Sequence, residues 1–587
     1  MNTQKIEETL KKEWSIGFLE RIMNVVRSFS LTEKTIFIIV SIIFIFSGLS
    51  LLYKVNNSFL VEIPDYGGSL TEGIVGAPRF INPLLASSDV DRDLTTLVYS
   101  GLLKVNSQGE LIPDIAESYS ISDDGLIYTF KLKENIFFHD GDKLTADDVV
   151  FTIKKAQDPL LKSPREANWI GVTVEKIDDF TVVFNLRQAY SAFIQNTTLG
   201  ILPEHIWKDV SIEEFPFSKW NTDPTGTGPY KVDTVLNTDS GLPKEYKLSA
   251  FNKYALGKPY ISHINIKTYQ NEKDIIDAYK NGDIESLHGI SPKQLPTLNP
   301  EKDEVVLSTL PRVFGVFFNQ NIAGVFVYKE VRQALNVSAN KQAIVNEILG
   351  GYGMVIDSPI PKKDATAVST TSTTIMDVEN MEKAKEILTK AGWKQNASGI
   401  FEKKDKTSTV RLAFSISTGN APELKEAAML LQKQWQMIGA DVEVKVFEIS
   451  DLNQDVIKTR KYDALLFGTI VGRDMDFYPF WHSSNRNSPG LNIAMYTNSK
   501  VDKILENIRK STDPIEQKTY LDNFEKEIKN DIPAVFTHSP YFIYIVPTKV
   551  KNVELGLLVT SAERFAQVSE WYIETSKVWE IFNRNNN

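Results

Sequence analysis

A single uncharged run constrains this chain more than any other feature. From Thr35 to Tyr53 it reads TIFIIVSIIFIFSGLSLLY, bracketed by Lys34 and Lys54. At about 1.5 Å rise per residue, a helix of roughly 19 residues spans about 28 Å, close to the hydrocarbon thickness of a bilayer. A helix apolar on every side over roughly five turns does not suit the edge of a globular core. Arg21, Arg27 and Lys34 precede the run, and Lys54 is the one basic residue just after it. The bias of basic residues then places residues 1–34 in the cytoplasm and the remainder outside the membrane. The competing reading is a cleaved signal peptide, with Gly48-Leu49-Ser50 as a poor cleavage site. The run is longer than a signal core of about 7–15 residues, so the sequence predicts an uncleaved anchor. Before it, Trp14, Phe18, Ile22, Val25 and Phe29 recur at helical spacing. That fits an amphipathic helix on the inner membrane surface or a tail with accidental periodicity.

The chain has 587 residues, enough for several domains. A net charge of −10, with no long Lys/Arg run, excludes a general nucleic-acid binder. Cysteine is absent, which removes iron–sulfur clusters, thiolate zinc sites, thiol catalysis, disulfides and the thiol of a lipoprotein anchor. The histidines at 139, 205, 263, 288, 482 and 538 form no local ligand motif, so no metal and no cofactor is expected.

Beyond a linker at 54–65, alternating and amphipathic segments follow one another. Gly68–Val75, Leu126–Lys133, Asp179–Leu186 and Ile261–Tyr269 read as strands. Thr145–Lys155 reads as a helix with a Thr cap and acids in its first turn. Glu272–Asn281, Met381–Ala391 and Pro422–Ile438 are helices closed by Gly282, Gly392 and Gly439. Strands at Arg411–Ser417, 442–446 and Asp463–Thr469, with a helix at Asp451–Lys458, complete a strand–helix succession that argues an α/β fold with crossover connections.

Local motifs give no catalytic signature. Phe138-His139-Asp140-Gly141 reads as a strand-to-helix turn. Asp89, Asp91 and Asp93 resemble the start of a calcium loop, but Leu94 and Ser100 stand where Gly and Glu are required, so a solvated helix start is predicted. Thr225-Gly226-Thr227-Gly228-Pro229-Tyr230 lacks the third glycine of a dinucleotide fingerprint and reads as a tight loop into a strand. Ser338 and Lys341 have S-x-x-K spacing without a following K-T-G, and no G-x-S-x-G occurs, so no enzyme is expected. Arg473-Asp474-Met475-Asp476 is the most informative polar cluster. It follows an apolar strand and precedes Phe477, Tyr478, Phe480 and Trp481. Loops after such strands carry ligand contacts in α/β folds. The acids suit an ammonium group and Arg473 a carboxylate, although a surface salt bridge beside core aromatics fits the same pattern.

Several phrases then converge on a family. Leu111-Ile112-Pro113-Asp114-Ile115-Ala116-Glu117-Ser118, then Asp124–Leu132, then Phe138–Gly141 followed by Leu144–Phe151, occur in order. Gly226–Tyr230, Val331-Arg332-Gln333-Ala334-Leu335, Ala391-Gly392-Trp393 and Asn492–Asp502 continue the series. Over about residues 66–548 the chain resembles the family 5 extracellular solute-binding proteins, the oligopeptide/dipeptide-binding group that serves ABC importers. The resemblance implies a class II type, two-lobed periplasmic-binding-protein-like α/β fold with an extra subdomain. The transmembrane helix that precedes it is read from the apolar run, where the chain departs from relatives that carry a lipobox Cys or a cleaved signal; that run sets a cytoplasmic tail at 1–34, the anchor at 35–53, and the linker at 54–65. Lobe I takes 66–85, 200–315 and 525–587, the extra subdomain 86–199, and lobe II 316–524. In peptide-binding relatives an acid in the 473–476 region receives the peptide's amino terminus, which makes Asp474 and Asp476 the two candidates. Thr469-Ile470-Val471-Gly472 departs from the usual glycine/tryptophan-rich residues before that acid.

The expected activity is capture of an oligopeptide or dipeptide between lobes that close by hinge motion, followed by delivery to ABC importer permease subunits. Arg473 would meet the ligand carboxylate or orient the acids. Trp481 and Phe80 are candidate pocket walls, with core packing as the other reading, and Asn319 is a candidate hinge or cleft contact. A membrane-tethered receptor of the same fold is the alternative class. A nickel complex, haem, an opine or an oligosaccharide are alternative ligands.

Overall fold

A computed structural model describes residues 23–298, 303–361, 378–405, 408–511 and 513–582. It divides into two compact units, Met1–Asp65 with Thr575–Asn587, and Tyr66–Glu574.

In the first unit, the apolar run lies inside a longer helix, Leu31–Ser58. Ser30 and Glu33 cap it reciprocally: the Glu33 amide donates to Ser30 Oγ (3.4 Å) and the Ser30 amide to Glu33 Oε2 (2.7 Å). None of its residues is buried. Among the described residues it is the one helix long and apolar enough to cross a membrane. The expected linker at 54–65 is therefore replaced by structure. The helix runs on to Ser58, and Leu60–Asp65 is a strand paired with Glu574–Trp579. Both strands are short, Leu60–Asp65 half-buried and Glu574–Trp579 mostly exposed, so pairing rather than hydrophobic pattern forms them. The chain's last strand thus groups largely with the N-terminal unit, not with lobe I. Of the residues at 14–29 with helical spacing, Trp14, Phe18 and Ile22 lie outside the described residues, and 23–27 are helical.

The second unit is built on one mixed sheet. Its strands lie in the order 441–447, 413–419, 464–470, 312–318, 534–547, 286–288, 67–75, 261–269, 243–250 and 230–237. The 14-residue strand Ala534–Pro547 is the spine. Its first half pairs with Arg312–Phe318 (Val316 opposite Val535) and its second half with Asp303–Thr309 (Val305 opposite Ile545). Nearly every residue of it is buried, because helices or strands cover both faces. Parallel pairs occur where crossovers were expected. Ala413–Gly419 and Asp441–Phe447 are parallel and joined by helix Pro422–Met437, whose Ala427, Ala428, Leu431 and Trp435 face the sheet. A separate antiparallel sheet, 116–121, 127–132, 181–186 and 172–178, is covered by helix Ala146–Ala156.

The apolar cores follow the sheet's two halves. One gathers residues from Leu70 through Ile266 together with Phe542–Trp571. Two others lie within Val313–Phe536. Two of the expected boundaries cut elements: 315/316 falls inside strand Arg312–Phe318, and 524/525 inside helix Pro514–Asp531, whose Phe524 and Ile528 pack with Phe477 and Trp481.

The aspartates near residue 90 are not a solvated helix start. They open helix Asp89–Val98, but only Asp89 faces water. Asp91 accepts the Arg79 and Phe80 amides (2.8 and 2.9 Å), and Asp93 is fully buried against Arg564. The 225–230 loop is tight as expected. A Cβ on Gly226 would lie 2.1 Å from the Val98 carbonyl oxygen, and His139 bonds the loop through Gly228 O (3.1 Å).

Candidate functional site

A cavity of about 510 Å³ lies within the second unit. Helix Asp89–Val98 and the chain after it supply Arg92, Thr95 and Tyr99, and the neighbouring strand supplies Lys104. The 165–200 stretch adds Arg165 and Tyr190. The loop after strand Ala464–Ile470 contributes Gly472, Arg473 and Asp474, and residues 559–566 close another wall. Buried polar atoms without a partner concentrate here: Thr95 Oγ1, the Tyr99 hydroxyl, Arg165 Nε and Arg473 Nη1. Buried polar atoms are paired in nearly all folded interiors, so these open groups are free to meet water or a polar guest.

The 472–476 loop gives the two candidate acids different surroundings. Met475 adopts a left-handed conformation (φ 51°), and its amide returns to the Gly472 carbonyl (3.1 Å). This tight turn sends neighbouring carboxylates to different places. Asp476 turns away from the cavity and is neutralised by Arg509 from helix Ser499–Lys510, through Nε–Oδ1 (3.0 Å) and Nη2–Oδ2 (2.5 Å). That fork is backed by Tyr478, 4.0 Å beneath the guanidinium. Asp476 also accepts the Tyr478 amide at the start of helix Tyr478–Trp481 (3.1 Å). Asp474 instead lines the cavity, and among the described residues no cation pairs with it. Its Oδ2 accepts the Tyr190 hydroxyl at 3.4 Å. Burial, then the Asp476 charge, push the Asp474 carboxyl above the ordinary aspartate range, against the hydrogen bonds it accepts. A Cβ on Gly472 would stand 2.3 Å from Asp474 Oδ1, so a side chain here would displace that carboxylate.

Arg473 lines the cavity but is committed elsewhere. Its Nη2 donates to Glu563 (2.6 Å) and to the Leu557 carbonyl (2.9 Å), which ties the loop to the 559–566 wall. Burial raises the Glu563 carboxyl, and Arg473 opposes that rise. Asp114 stands in the same wall, pushed up to about 6 by burial against the pull of Lys104 and a Ser100 hydrogen bond.

The other three expected residues are not in the cavity wall. Trp481 is 3% exposed and packed among Phe317, Tyr496, Phe524 and Phe536, so it is core. Phe80 is half-buried against the first core, beneath Arg79. Asn319 is fully buried at the end of its strand, where its Nδ2 donates to the Arg460 carbonyl (3.0 Å) and its Oδ1 accepts the Asn321 amide (3.1 Å). Arg165, Tyr190 and Tyr99 were missed from the sequence because none lies in a patterned motif, and Asp114 because its motif was read only as a mark of the family. Ser338 and Lys341 make only structural bonds, to Ala334 O (2.8 Å) and to Asp357 (2.5 Å). Among the described residues no cluster of three His, Asp or Glu side chains offers a metal site.

Comparison with known proteins gives the same fold and a consistent family. The oligopeptide-binding protein AppA of Bacillus subtilis (strain 168) is 29% identical over 486 residues, covering 81% of this chain and 87% of AppA. The solved structure of B. subtilis AppA in complex with a nonapeptide superposes with a TM-score of 0.64 at 26% identity, over 87% of this chain and all of that one (100%). Campylobacter jejuni NikZ in complex with Ni(L-His) superposes at 0.66 and 26% identity, over 86% of this chain and 99% of NikZ. Residues 110–489 match the bacterial extracellular solute-binding proteins, family 5. With the periplasmic-binding-protein fold, the cavity and that match in place, the chain belongs to the family 5 extracellular solute-binding proteins, which bind solutes for ABC importers and are not enzymes.

Proposed function

We propose that this protein is a membrane-anchored receptor that captures peptides with a free amino terminus and hands them to the permease of an ABC importer. The observation that carries this reading is the asymmetry of the two acids. Asp476 is neutralised by Arg509, whereas Asp474 faces the cavity with its charge open. A buried carboxylate without a cation is unstable, and a ligand ammonium arriving in a closed, dry cavity supplies the missing charge. AppA, a relative of similar length, holds a nonapeptide in its solved structure, which supports a peptide for this chain. The anchor reading rests on helix Leu31–Ser58, which is apolar, capped and has no buried residue.

The test is calorimetry on the full chain in detergent, with trialanine and N-acetyl-trialanine as probes. Wild type binds trialanine at least tenfold more tightly than the acetylated form, about 1.4 kcal/mol, and Asp474→Asn abolishes that preference. Equal binding of both probes to wild type refutes the ammonium role. Mass spectrometry of purified membranes checks the anchor, and a chain starting near residue 51 refutes it.

A further inference from the structure

Arg165 is a cation in the cavity wall. Among the described residues no carboxylate, carbonyl or hydroxyl receives a bond from its guanidinium, and its Nε is buried. The one charged group that acts on it is a second cation, Arg92. Burial first, and Arg92 next, push its pKa below the ordinary arginine value. Arginine cannot escape such a position by losing its proton. Nor is its backbone free to carry it away. Ser163 Oγ donates to Leu84 O (2.6 Å) and accepts the Arg165 amide (3.1 Å). The Asn168 carbonyl is held by Asn196 (2.9 Å), and Trp169 is locked between Phe184 and Phe193. Arg92 is paired only with the exposed Asp89 (3.0 Å), an i, i+3 surface pair of small worth.

We propose that Arg165, backed by Arg92, is an anion subsite that takes the carboxylate of the bound ligand. A planar guanidinium with open donors matches a carboxylate bidentately, and the pairing strengthens where water is excluded. This deepens the proposed function and rests on it for the ligand's identity. With Asp474 holding an ammonium, the cavity selects zwitterions, meaning peptides with both ends free, over neutral sugars.

The proposal carries a signature that a structural arginine lacks. Because the empty site holds an uncompensated charge, Arg165→Met raises the melting temperature of the empty full chain in detergent while weakening ligand binding. Calorimetry with trialanine and trialanine amide then reads the carboxylate. Wild type favours the free acid by at least tenfold, and Arg165→Met binds both equally. In parallel, acetate titration raises the melting temperature of wild type above that seen with chloride, and Arg165→Met shows no such difference. A lower melting temperature for the empty variant, or an acetate response identical in both proteins, overturns the subsite. Failure of trialanine to bind wild type refutes the peptide reading instead, and the acetate titration still decides the role of Arg165.

The first unit carries an independent inference. Trp579 Nε1 donates to Asn56 Oδ1 (2.9 Å), its ring lies 6.4 Å from that of Phe59, and the Glu580 amide bonds the Phe59 carbonyl (3.0 Å). Asn56 is one turn beyond Tyr53, the last residue of the apolar run, so Trp579 stands within about 5 Å of the run's end along the helix. Phe59, Trp579 and Ile581 are exposed there (56%, 45% and 78%). Tryptophan at that depth is the usual residue of the membrane–water interface. We infer that the C-terminal strand Glu574–Trp579 docks on the lipid headgroup layer and clamps the chain where it leaves the bilayer, given the uncleaved anchor. The test is tryptophan quenching in vesicles containing lipids brominated near the headgroup, after mass measurement shows residues 31–58 retained. Wild type loses more fluorescence than Trp579→Phe. Equal quenching of the two proteins overturns the docking, and loss of residues 31–58 overturns the anchor and the docking together.

Discussion

Replacing Arg564 by Met should be the most damaging single change in this molecule. Arg564 is fully buried and makes five hydrogen bonds: to Glu72 Oε1 from Nε (2.9 Å) and Nη2 (2.6 Å), to Asp93 from Nη1 (2.8 Å) and Nη2 (2.7 Å), and to Ser561 O (2.8 Å). Tyr544 and His288 complete the cluster, bonding Glu72 Oε2 (2.7 Å) and Asp93 Oδ2 (3.2 Å). Burial works against ionisation of Asp93, but Arg564 and His288 outweigh it and hold the carboxyl at about 2. Met fills much of the arginine's volume, so the loss is electrostatic. Two buried carboxylates are left without their cation, and removing one partner of a buried pair costs about 3–5 kcal/mol. The sign with pH follows from Asp93. Its depressed pKa gives stability that is present above about pH 4 and is lost as pH falls toward 2. In Arg564→Met the buried Asp93 carboxyl loses the cation that keeps it ionised, so the deficit shrinks on acidification. Urea unfolding of the full chain in detergent, followed by tryptophan fluorescence at pH 7 and pH 5, measures this. The triple change Arg564→Met, Glu72→Gln, Asp93→Asn should recover most of the loss, because the neutral amides keep the shape without the charge. A deficit under about 1 kcal/mol at pH 7, or one that does not narrow at pH 5, refutes the reasoning. Ala562, Glu563, Phe565 and Ala566 surround Arg564 in sequence and line the cavity, so the same variant should weaken trialanine binding.

Three further outcomes are expected. Gly472→Ala pushes a methyl group to 2.3 Å from Asp474 Oδ1, so calorimetry should show trialanine affinity falling about tenfold while melting changes little. Trialanine affinity should fall on acidification through a pKa above the ordinary aspartate value of 3.8, since only ionised Asp474 pairs with an ammonium, and Asp474→Asn should remove that dependence. Asp114, raised from 3.8 to about 6, binds more protons folded than unfolded, so it lowers stability as pH climbs between those values; Asp114→Asn should flatten that slope in urea unfolding and stabilise the protein at pH 7 by on the order of 3 kcal/mol.

Elements with their own local signal were legible in the sequence. Thr145 with Asp148 forms the capping box of helix Ala146–Ala156, and Gly282 takes the left-handed conformation that ends helix Glu272–Asn281. The alternation at Ile127–Leu132 gives a strand with Tyr128, Phe130 and Leu132 buried. The longest strand was invisible for a physical reason. Ala534–Pro547 is buried on both faces, so its two apolar runs do not alternate, and Thr537-His538-Ser539-Pro540 between them reads as a break rather than a strand. Strand Leu60–Asp65 was read as a linker because its stability comes from Glu574–Trp579, at the other end of the chain. Trp481 was open between a pocket wall and core packing because it follows the acidic loop, and helix Tyr478–Trp481 turns its ring into the core.

The site itself was half legible, and the missing half depends on where counter-charges fall in space. Sequence put Asp474 and Asp476 on equal terms, since both follow an apolar strand by a few residues. What separates them is Arg509, on a helix that no local pattern links to the loop. The same rule sorts the other buried charges. Arg564 meets Glu72 and Asp93, and Arg473 meets Glu563, so each has a counter-charge within the fold, although Arg473 Nη1 stays open. Asp474 and Arg165 have no ion pair among the described residues, one of each sign, and both face the cavity that Asp114 also lines without one. A fold that neutralises Arg564, Asp93 and Asp476 has the means to neutralise these. On the proposed reading, leaving Asp474 and Arg165 open lowers the stability of the empty protein and raises the gain when a zwitterion enters. A binding protein that must both hold its ligand and release it needs that difference between empty and filled states, and charges without partners are where the structure keeps it.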